Sequence, residues 1–251
     1  MPKAVLLDID GVLMVGGSPL PGAPLILEKL KERFKIALVS NITRSSFSQT
    51  LEKLRGAGFH IGEEELFTPI KVAVDYIKTV GGKVFALTTE EAKEDLRELE
   101  GEPVTHVLVG DAYTNFTYHA LNKAFRYLIK GARLVALAEN RYFKDKDGEL
   151  SLDAGPFVRA LEYASGQRAT LLGKPSPTFF LKVLEKLGVS AEEAVMVGDD
   201  IEADVLGAQR VGMKSVLVKT GKFREEDLQK CIIPHLVIPD VTHLLDAVEY
   251  L

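Results

Sequence analysis

A single cysteine, Cys231, is all the thiol the chain holds. No internal disulfide can form, and a reducing, cytoplasmic setting is expected. Basic clusters are missing too: the net charge is −5 and no Lys/Arg-rich block appears, which argues against nucleic acid as a partner. The longest apolar runs are strand-sized, so no membrane span is expected. Lys3 is followed only by a short apolar stretch ending in Asp8, which does not make a secretory leader. The glycines of the 15–22 loop lack the spacing of a dinucleotide fingerprint and do not follow directly on a strand. Solenoid repeats and low-complexity segments are also absent. Asn and Gln are scarce beside abundant Lys and Glu, a composition that points toward a thermophilic source.

With 46% hydrophobic residues in 251, the chain can bury one large core or two modest ones. Its first apolar run, Ala4 to Leu13, shows no polar alternation and reads as a strand buried on both faces, as in a parallel sheet. Side chains alternate along a strand, so Asp8 and Asp10 share one side at its carboxyl end, where Gly11 lets the chain turn. Ligands of open α/β sheets bind at such ends. Two acids this close are not comfortably ionised together away from water unless a divalent cation, a shared proton or both compensate them. A solvated acidic turn is the alternative reading of Asp-x-Asp-Gly taken alone.

Strand and helix signals then alternate: helix 23–33, strand 35–39 ending in Ser40-Asn41, and helix 43–54 with a Gly-Ala-Gly stop. The pattern is βαβα, which requires right-handed crossovers and a parallel sheet. From about 68 to 171 the alternation restarts: helix 70–80, strand 83–87, helix 89–99, strand 104–109, helix 116–130 and strand 133–137. A block with its own strands between two pieces of another sheet is expected to be an inserted domain, over 69–168. The first sheet is expected to resume at 169 with Ala169 to Leu172, followed by Gly173-Lys174-Pro175, helix 177–187, and Ala194 to Val197 leading into Gly198-Asp199-Asp200. The expected class is therefore α/β: a Rossmann-like parallel-sheet core over 1–68 and 169–251 with helices on both faces, plus a smaller inserted α/β domain.

Each strand end carries a polar group. Ser40 and Asn41 offer a hydroxyl and an amide to an oxyanion without adding charge, although for such a pair taken singly a helix N-cap is the commoner use. Lys174, between Gly173 and Pro175, suits a phosphate or a carboxylate nucleophile. Asp200 and Asp204 are four apart on one helical face, a like-charge spacing that needs a cation or donor nearby. The helix dipole accounts for Asp199 and Asp200 and leaves Asp204 unexplained. Oxygen ligands from Asp8, Asp10 and Asp199 match what Mg²⁺ prefers.

These four pieces resemble, in order and placement, the motifs of the haloacid dehalogenase-like phosphohydrolase superfamily, and the long insert resembles its class IIA cap. Gly155-Pro156-Phe157-Val158, Leu161-Glu162-Tyr163-Ala164, Gly173-Lys174-Pro175, Ala194 to Asp200 and Val218-Lys219-Thr220-Gly221-Lys222 are similar to the branch of phospholysine phosphohistidine inorganic pyrophosphate phosphatases. Ile42 departs from that pattern, where relatives usually carry Asn or Thr. The resemblance implies that Asp8 attacks phosphorus, and that Asp10 protonates the leaving oxygen and then activates water. It implies that Asp8, the Asp10 carbonyl and Asp199 hold Mg²⁺, with Asp200 and Asp204 orienting groups behind them. Ser40, Asn41, Lys174 and the Gly11 N–H would receive phosphoryl oxygens. Separately, Arg141 in the loop after strand 133–137 offers a guanidinium to the leaving group, with ordinary inter-domain packing an equal account of it. A small phosphorylated metabolite is the expected substrate; the oligomeric state is left open, a homodimer being one outcome because relatives with this cap often pair through it. A phosphomutase on the same core, or a phosphate-binding module without turnover, remain the alternatives.

Overall fold

The computed structural model describes residues 2–144 and 149–251. The chain opens with β1 (Ala4–Asp8) and a short hairpin, β2 (Met14–Val15) with β3 (Ser18–Pro19). Next come α1 (Ala23–Lys31), β4 (Lys35–Val39), α2 (Phe47–Gly56) and β5 (Leu66–Phe67). The middle holds α3 (Pro69–Val80), β6 (Lys83–Leu87), α4 (Glu90–Lys93), β7 (Val104–Val109), α5 (Tyr118–Ile129) and β8 (Arg133–Ala136). A hairpin of β9 (Tyr142–Lys144) and β10 (Leu150–Leu152), then α6 (Ala154–Ser165) and β11 (Thr170–Leu171), complete it. The last part runs through α7 (Pro177–Leu187), β12 (Ala194–Gly198), α8 (Gly207–Gln209), β13 (Lys214–Val218), β14 (Leu236–Ile238) and α9 (Leu244–Ala247).

The chain divides into two compact units. One gathers the residues up to Ser40, Leu51–Phe67 and Lys174–Leu251; the other gathers Asn41–Thr50 and Thr68–Gly173. In the first unit a six-stranded parallel sheet has the order β14-β13-β12-β1-β4-β5. Strands β1 and β12 lie inside it and are buried at all five positions each, which is why they run apolar without alternation, β1 as far as the buried acid Asp8 that ends it.

The second unit carries its own parallel sheet, ordered β11-β8-β7-β6. Its core joins Val107 and Val109 of β7 to Ala124 and Leu128 of α5 and to Val158 and Leu161 of α6. Strand Thr170–Leu171 was expected to rejoin the first sheet, but it pairs with β8 at the edge of the second. Two residues carry too little pattern to choose a sheet, and the contact boundary accordingly falls between Gly173 and Lys174.

Helix α2 starts four residues later than the expected Thr43 because Ser46 and Gln49 form a reciprocal cap. The Ser46 hydroxyl accepts from the Gln49 N–H at 3.2 Å and the Gln49 side chain accepts from the Ser46 N–H at 3.1 Å. Residues 41–46 are thereby left outside the helix. The expected helix after Asp200 begins as a π-helical turn, Ile201–Leu206, before α8. Among the described residues no helix is long and apolar enough to cross a membrane.

Phe179 and Phe180 of α7 are fully buried and meet edge to face at 5.7 Å. A Cβ on Gly207 of α8 would come within 2.7 Å of the Phe180 ring, so the packing there is closed. Phe180→Ala should cost about 3–5 kcal/mol in urea unfolding. Tyr163→Ala, at a position 94% exposed, should stay within about 0.5 kcal/mol.

Candidate active site

Parallel register assembles the site at one edge of the first sheet. Asp8 pairs with Val39, so Ser40 is the next residue out; Leu7 pairs with Val197, so Asp199 leaves the neighbouring strand at the same level. Gly198 pairs with Leu217, which brings in the loop that follows β13.

The Asp8 carboxylate is buried and its Oδ1 accepts two hydrogen bonds, from the Ile9 N–H at 2.9 Å and from the Lys174 ammonium at 2.8 Å. Lys174, 4% exposed, also donates to Oδ1 of Asp204 at 2.7 Å. Asp204 is fully buried and its Oδ2 accepts the Asp200 N–H at 3.2 Å. Both oxygens are thus engaged, which supplies the cation and the donor that its spacing from Asp200 demanded. Asp200 itself caps the π-helical turn, accepting from the N–H groups of Glu202 and Ala203 at 3.0 and 2.9 Å.

Asp199, 1% exposed, is held through Oδ2 by the Lys222 N–H at 2.6 Å, while its buried Oδ1 has no hydrogen-bond partner. Two glycine backbones press against this carboxylate. A Cβ on Gly11 or Gly221 would lie 1.9 or 2.0 Å from Oδ2, and both residues have positive φ, 94° and 65°. Only glycine meets both conditions at these positions. The Thr220 hydroxyl donates to the Gly11 carbonyl at 2.5 Å and ties the two loops together.

Burial pushes Asp204 up to about 7 even with Lys174 alongside, and Asp199 up to about 6 against the opposing Lys222 N–H. Asp8 is raised by the same desolvation, with Lys174 resisting. For Lys174 burial acts downward, but Asp204 and Asp8 outweigh it and hold the ammonium above its ordinary value. Ligand oxygens of Asp8, Asp199 and Asp204 all lie within 4.8 Å of one another. If all three carboxylates are ionised, the one buried ammonium leaves two negative charges uncompensated, and a cation at this place would favour that ionised state. The unpartnered Oδ1 of Asp199 costs free energy as it stands. The donor set therefore fits a hard divalent cation.

The remaining expected residues fall in several places. Asp10 is exposed and forms a bridge with Met14. Gly11 was expected to give its N–H to a phosphoryl oxygen. That N–H instead donates to the Met14 carbonyl at 2.7 Å, closing the turn, so the contribution of Gly11 here is its close approach to Asp199. Ser40 is buried, with its N–H on the Phe67 carbonyl at 3.1 Å. Asn41 belongs to the second unit, where it lines a cavity of about 230 Å³. Arg141 is exposed in the same unit and lines a different cavity of about 610 Å³ with Glu139, Tyr142 and Arg159. Sequence reasoning missed Thr220, Gly221 and Lys222 as site residues, although the run Val218 to Lys222 carried part of the resemblance.

A family model described as haloacid dehalogenase-like hydrolase matches residues 5–102, and one for HAD-hydrolase-like proteins matches 171–244. The chain is 42% identical over 248 residues to haloacid dehalogenase-like hydrolase domain-containing protein 2 of Homo sapiens, covering 98% of this chain and 95% of that one. It is 38% identical over 232 residues to the phospholysine phosphohistidine inorganic pyrophosphate phosphatase of Homo sapiens, covering 90% and 86%. Among solved structures, a p-nitrophenyl phosphatase from Archaeoglobus fulgidus superposes with a TM-score of 0.91 at 29% identity, over 98% of this chain and 99% of that chain. A 4-nitrophenylphosphatase from Thermotoga maritima gives 0.89 at 30%, over 98% and 97%. The chain belongs to the haloacid dehalogenase-like hydrolase family. Within that family it is a phosphohydrolase enzyme.

Lys174 is the group whose loss the site can least absorb. In chelator at neutral pH, Lys174→Met should lower urea stability by about 3–5 kcal/mol, because it strands buried carboxylates without a partner. Lys222→Met removes a side chain that is 70% exposed and should cost less than about 1 kcal/mol.

Proposed function

We propose that the enzyme is a Mg²⁺-dependent phosphatase that hydrolyses small phosphorylated compounds through an aspartyl phosphate on Asp8. The observation that carries this reading is the buried carboxylate of Asp8, fixed at one oxygen and sharing its surroundings with Lys174 and the half-satisfied Asp199. With Oδ1 held by Ile9 and Lys174, Oδ2 is the oxygen presented for attack on phosphorus. Lys174 favours the ionised nucleophile and sets positive charge against the phosphoryl oxygens.

In the first half-reaction the Asp8 oxygen bonds to phosphorus as the bond to the leaving oxygen breaks, and Asp10 gives that oxygen its proton. In the second, Asp10 takes a proton from water, which attacks the aspartyl phosphate; inorganic phosphate leaves and Asp8 is restored. The exposure of Asp10 suits a group that must meet both leaving oxygen and water. Ser40 receives a phosphoryl oxygen alongside Lys174. Asp8, the Asp10 carbonyl and Asp199 hold Mg²⁺, with Asp204 acting behind Lys174. The ion, when bound, offsets charge on the phosphoryl group and orients it. A cytoplasmic setting fits the one cysteine, Cys231, which is exposed and free.

Release of phosphate from p-nitrophenyl phosphate should require Mg²⁺ and should be abolished in Asp8→Asn, whose amide is a poor nucleophile and a poor ligand. Activity of the variant within about tenfold of wild type, roughly 1.4 kcal/mol of barrier, would contradict the nucleophilic assignment.

Metal binding has its own readout. At about a hundredfold excess over its dissociation constant, Mg²⁺ should stabilise the fold by about 2.7 kcal/mol, or roughly 5–10 °C in Tm for a chain of this size. Asp199→Asn should lose most of that increment; an unchanged increment would count against Asp199 as a ligand.

A further inference from the structure

Asp8 and Lys174 are buried and bonded to each other at 2.8 Å, whereas Asp10 is exposed. The place of the Asp10 carboxyl is therefore set largely through the backbone of the turn that carries it. That turn closes on itself. The Ile9 carbonyl accepts from the N–H groups of Leu13 and Met14 at 3.0 and 2.8 Å, and the Gly11 N–H reaches the Met14 carbonyl at 2.7 Å. These bonds give the turn its shape, and they all run within residues 9–14.

A contact from far along the chain holds the turn in place. The Thr220 hydroxyl donates at 2.5 Å to the carbonyl of Gly11, the residue next to Asp10 and 209 positions away from Thr220. Gly221 follows with its backbone against the same turn: a Cβ there would come within 2.5 Å of the Gly11 Cα. All of these residues belong to the first unit.

Thr220 is itself well anchored. As its loop leaves β13, the Lys219 N–H donates to the carbonyls of Ile238 and Pro239 at 3.0 and 3.2 Å. On its other side the Lys222 N–H donates to Asp199 at 2.6 Å, and Phe223 packs on the buried cluster of Ile201, Val205 and Leu217. Thr220 is half-buried, and its branched side chain is stiff at χ1, so the hydroxyl is aimed by packing rather than free to rotate away. The loop is thus a fixed strut from the edge of the sheet to the Gly11 carbonyl.

Proton transfer makes such a strut useful. A general acid or base must come within about 2.6–3.2 Å of its partner atom. A misplacement of about 1 Å can cost about a hundredfold in rate. An exposed carboxyl on a turn that swayed by that much would forfeit its advantage.

We propose that Thr220 is a positioning residue for the acid–base steps. Its hydroxyl, bonded to the Gly11 carbonyl, fixes the turn so that Asp10 meets the leaving oxygen in the first half-reaction and water in the second. The proposal rests on the phosphatase reading and on Asp10 as the proton carrier within it.

The test uses the full chain in Mg²⁺ with phenyl phosphate and p-nitrophenyl phosphate, two esters of similar size. Phenol is much the weaker acid, so its oxygen needs a proton in order to leave, whereas p-nitrophenolate leaves largely without one. Thr220→Val keeps the shape and the branching and removes the hydroxyl. It should lower kcat/KM for phenyl phosphate about tenfold or more. With p-nitrophenyl phosphate kcat and KM should fall together, because formation of the aspartyl phosphate is spared and its breakdown is slowed; p-nitrophenol should then appear in a burst matched to the enzyme concentration. Thr220→Ser restores the hydroxyl and should recover most of each loss, while Thr220→Ala, a second variant without it, should repeat the valine pattern. In an Asp10→Asn background, Thr220→Val should change kcat/KM for phenyl phosphate by less than about twofold, since the group it positions is already gone. Equal falls in kcat/KM for the two esters, additive losses with Asp10→Asn, no recovery in Thr220→Ser, or no effect of removing the hydroxyl would each overturn the assignment while turnover by wild type left the phosphatase reading standing. Failure of wild type on both esters would remove that reading and this inference with it.

Discussion

The contact on which the site depends is the buried ammonium of Lys174 between Asp8 and Asp204, at 2.8 and 2.7 Å. Water is excluded from all three groups, so each would be costly alone. Held together, they fix Asp8 in one position and leave its second oxygen for chemistry. Asp204 has no solvent contact and both its oxygens are engaged, so its part is to keep Lys174 charged and in place. The excess negative charge that remains is the electrostatic case for a divalent cation, and the unsatisfied Oδ1 of Asp199 marks where one oxygen could serve it.

Much of this was legible because a parallel sheet converts sequence order into spatial proximity. Once β1, β4 and β12 are recognised as buried strands, their carboxyl ends must converge, and Asp8, Ser40 and Asp199 come with them. Lys174 was legible by type, a cation in a stiff Gly-Lys-Pro setting, but its partner Asp204 was visible only as an unexplained repulsion with Asp200. The loop of Thr220, Gly221 and Lys222 was harder to read, since it acts through a hydroxyl on a carbonyl, a missing Cβ and a backbone N–H. Side-chain chemistry announces itself in a sequence; backbone chemistry does not. The Gly11 N–H illustrates the same limit: its use depends on whether the next turn closes on Met14, and that turn does close.

Elements of two or three residues were the other blind spot. Strands β2, β3, β9 and β10 are too short for a period to show, and β11 is assigned to its sheet only by its partner β8. The late start of α2 has a larger consequence. Thr43 and Arg44 were expected in the first turn of a helix over 43–54, but the Ser46–Gln49 cap moves the helix on and leaves Arg44 outside it, stacked between Tyr113 and Phe143. A reciprocal cap of two hydrogen bonds thus decides whether a guanidinium is a helix residue or part of a cavity wall.

The central claim is a covalent bond between phosphorus and Asp8, and trapping that species tests it most directly. Asp10→Asn retains the backbone carbonyl but cannot take the proton of the hydrolytic water, so breakdown should slow about a hundredfold or more. With p-nitrophenyl phosphate, whose leaving group needs little protonation, the intermediate should then accumulate. After rapid acid quench in the presence of Mg²⁺, mass spectrometry of the peptide carrying residue 8 is predicted to show a phosphoryl adduct on Asp8, absent from Asp8→Asn. Continued release of p-nitrophenol over many turnovers with no adduct on Asp8, or an adduct on another residue, would contradict the account.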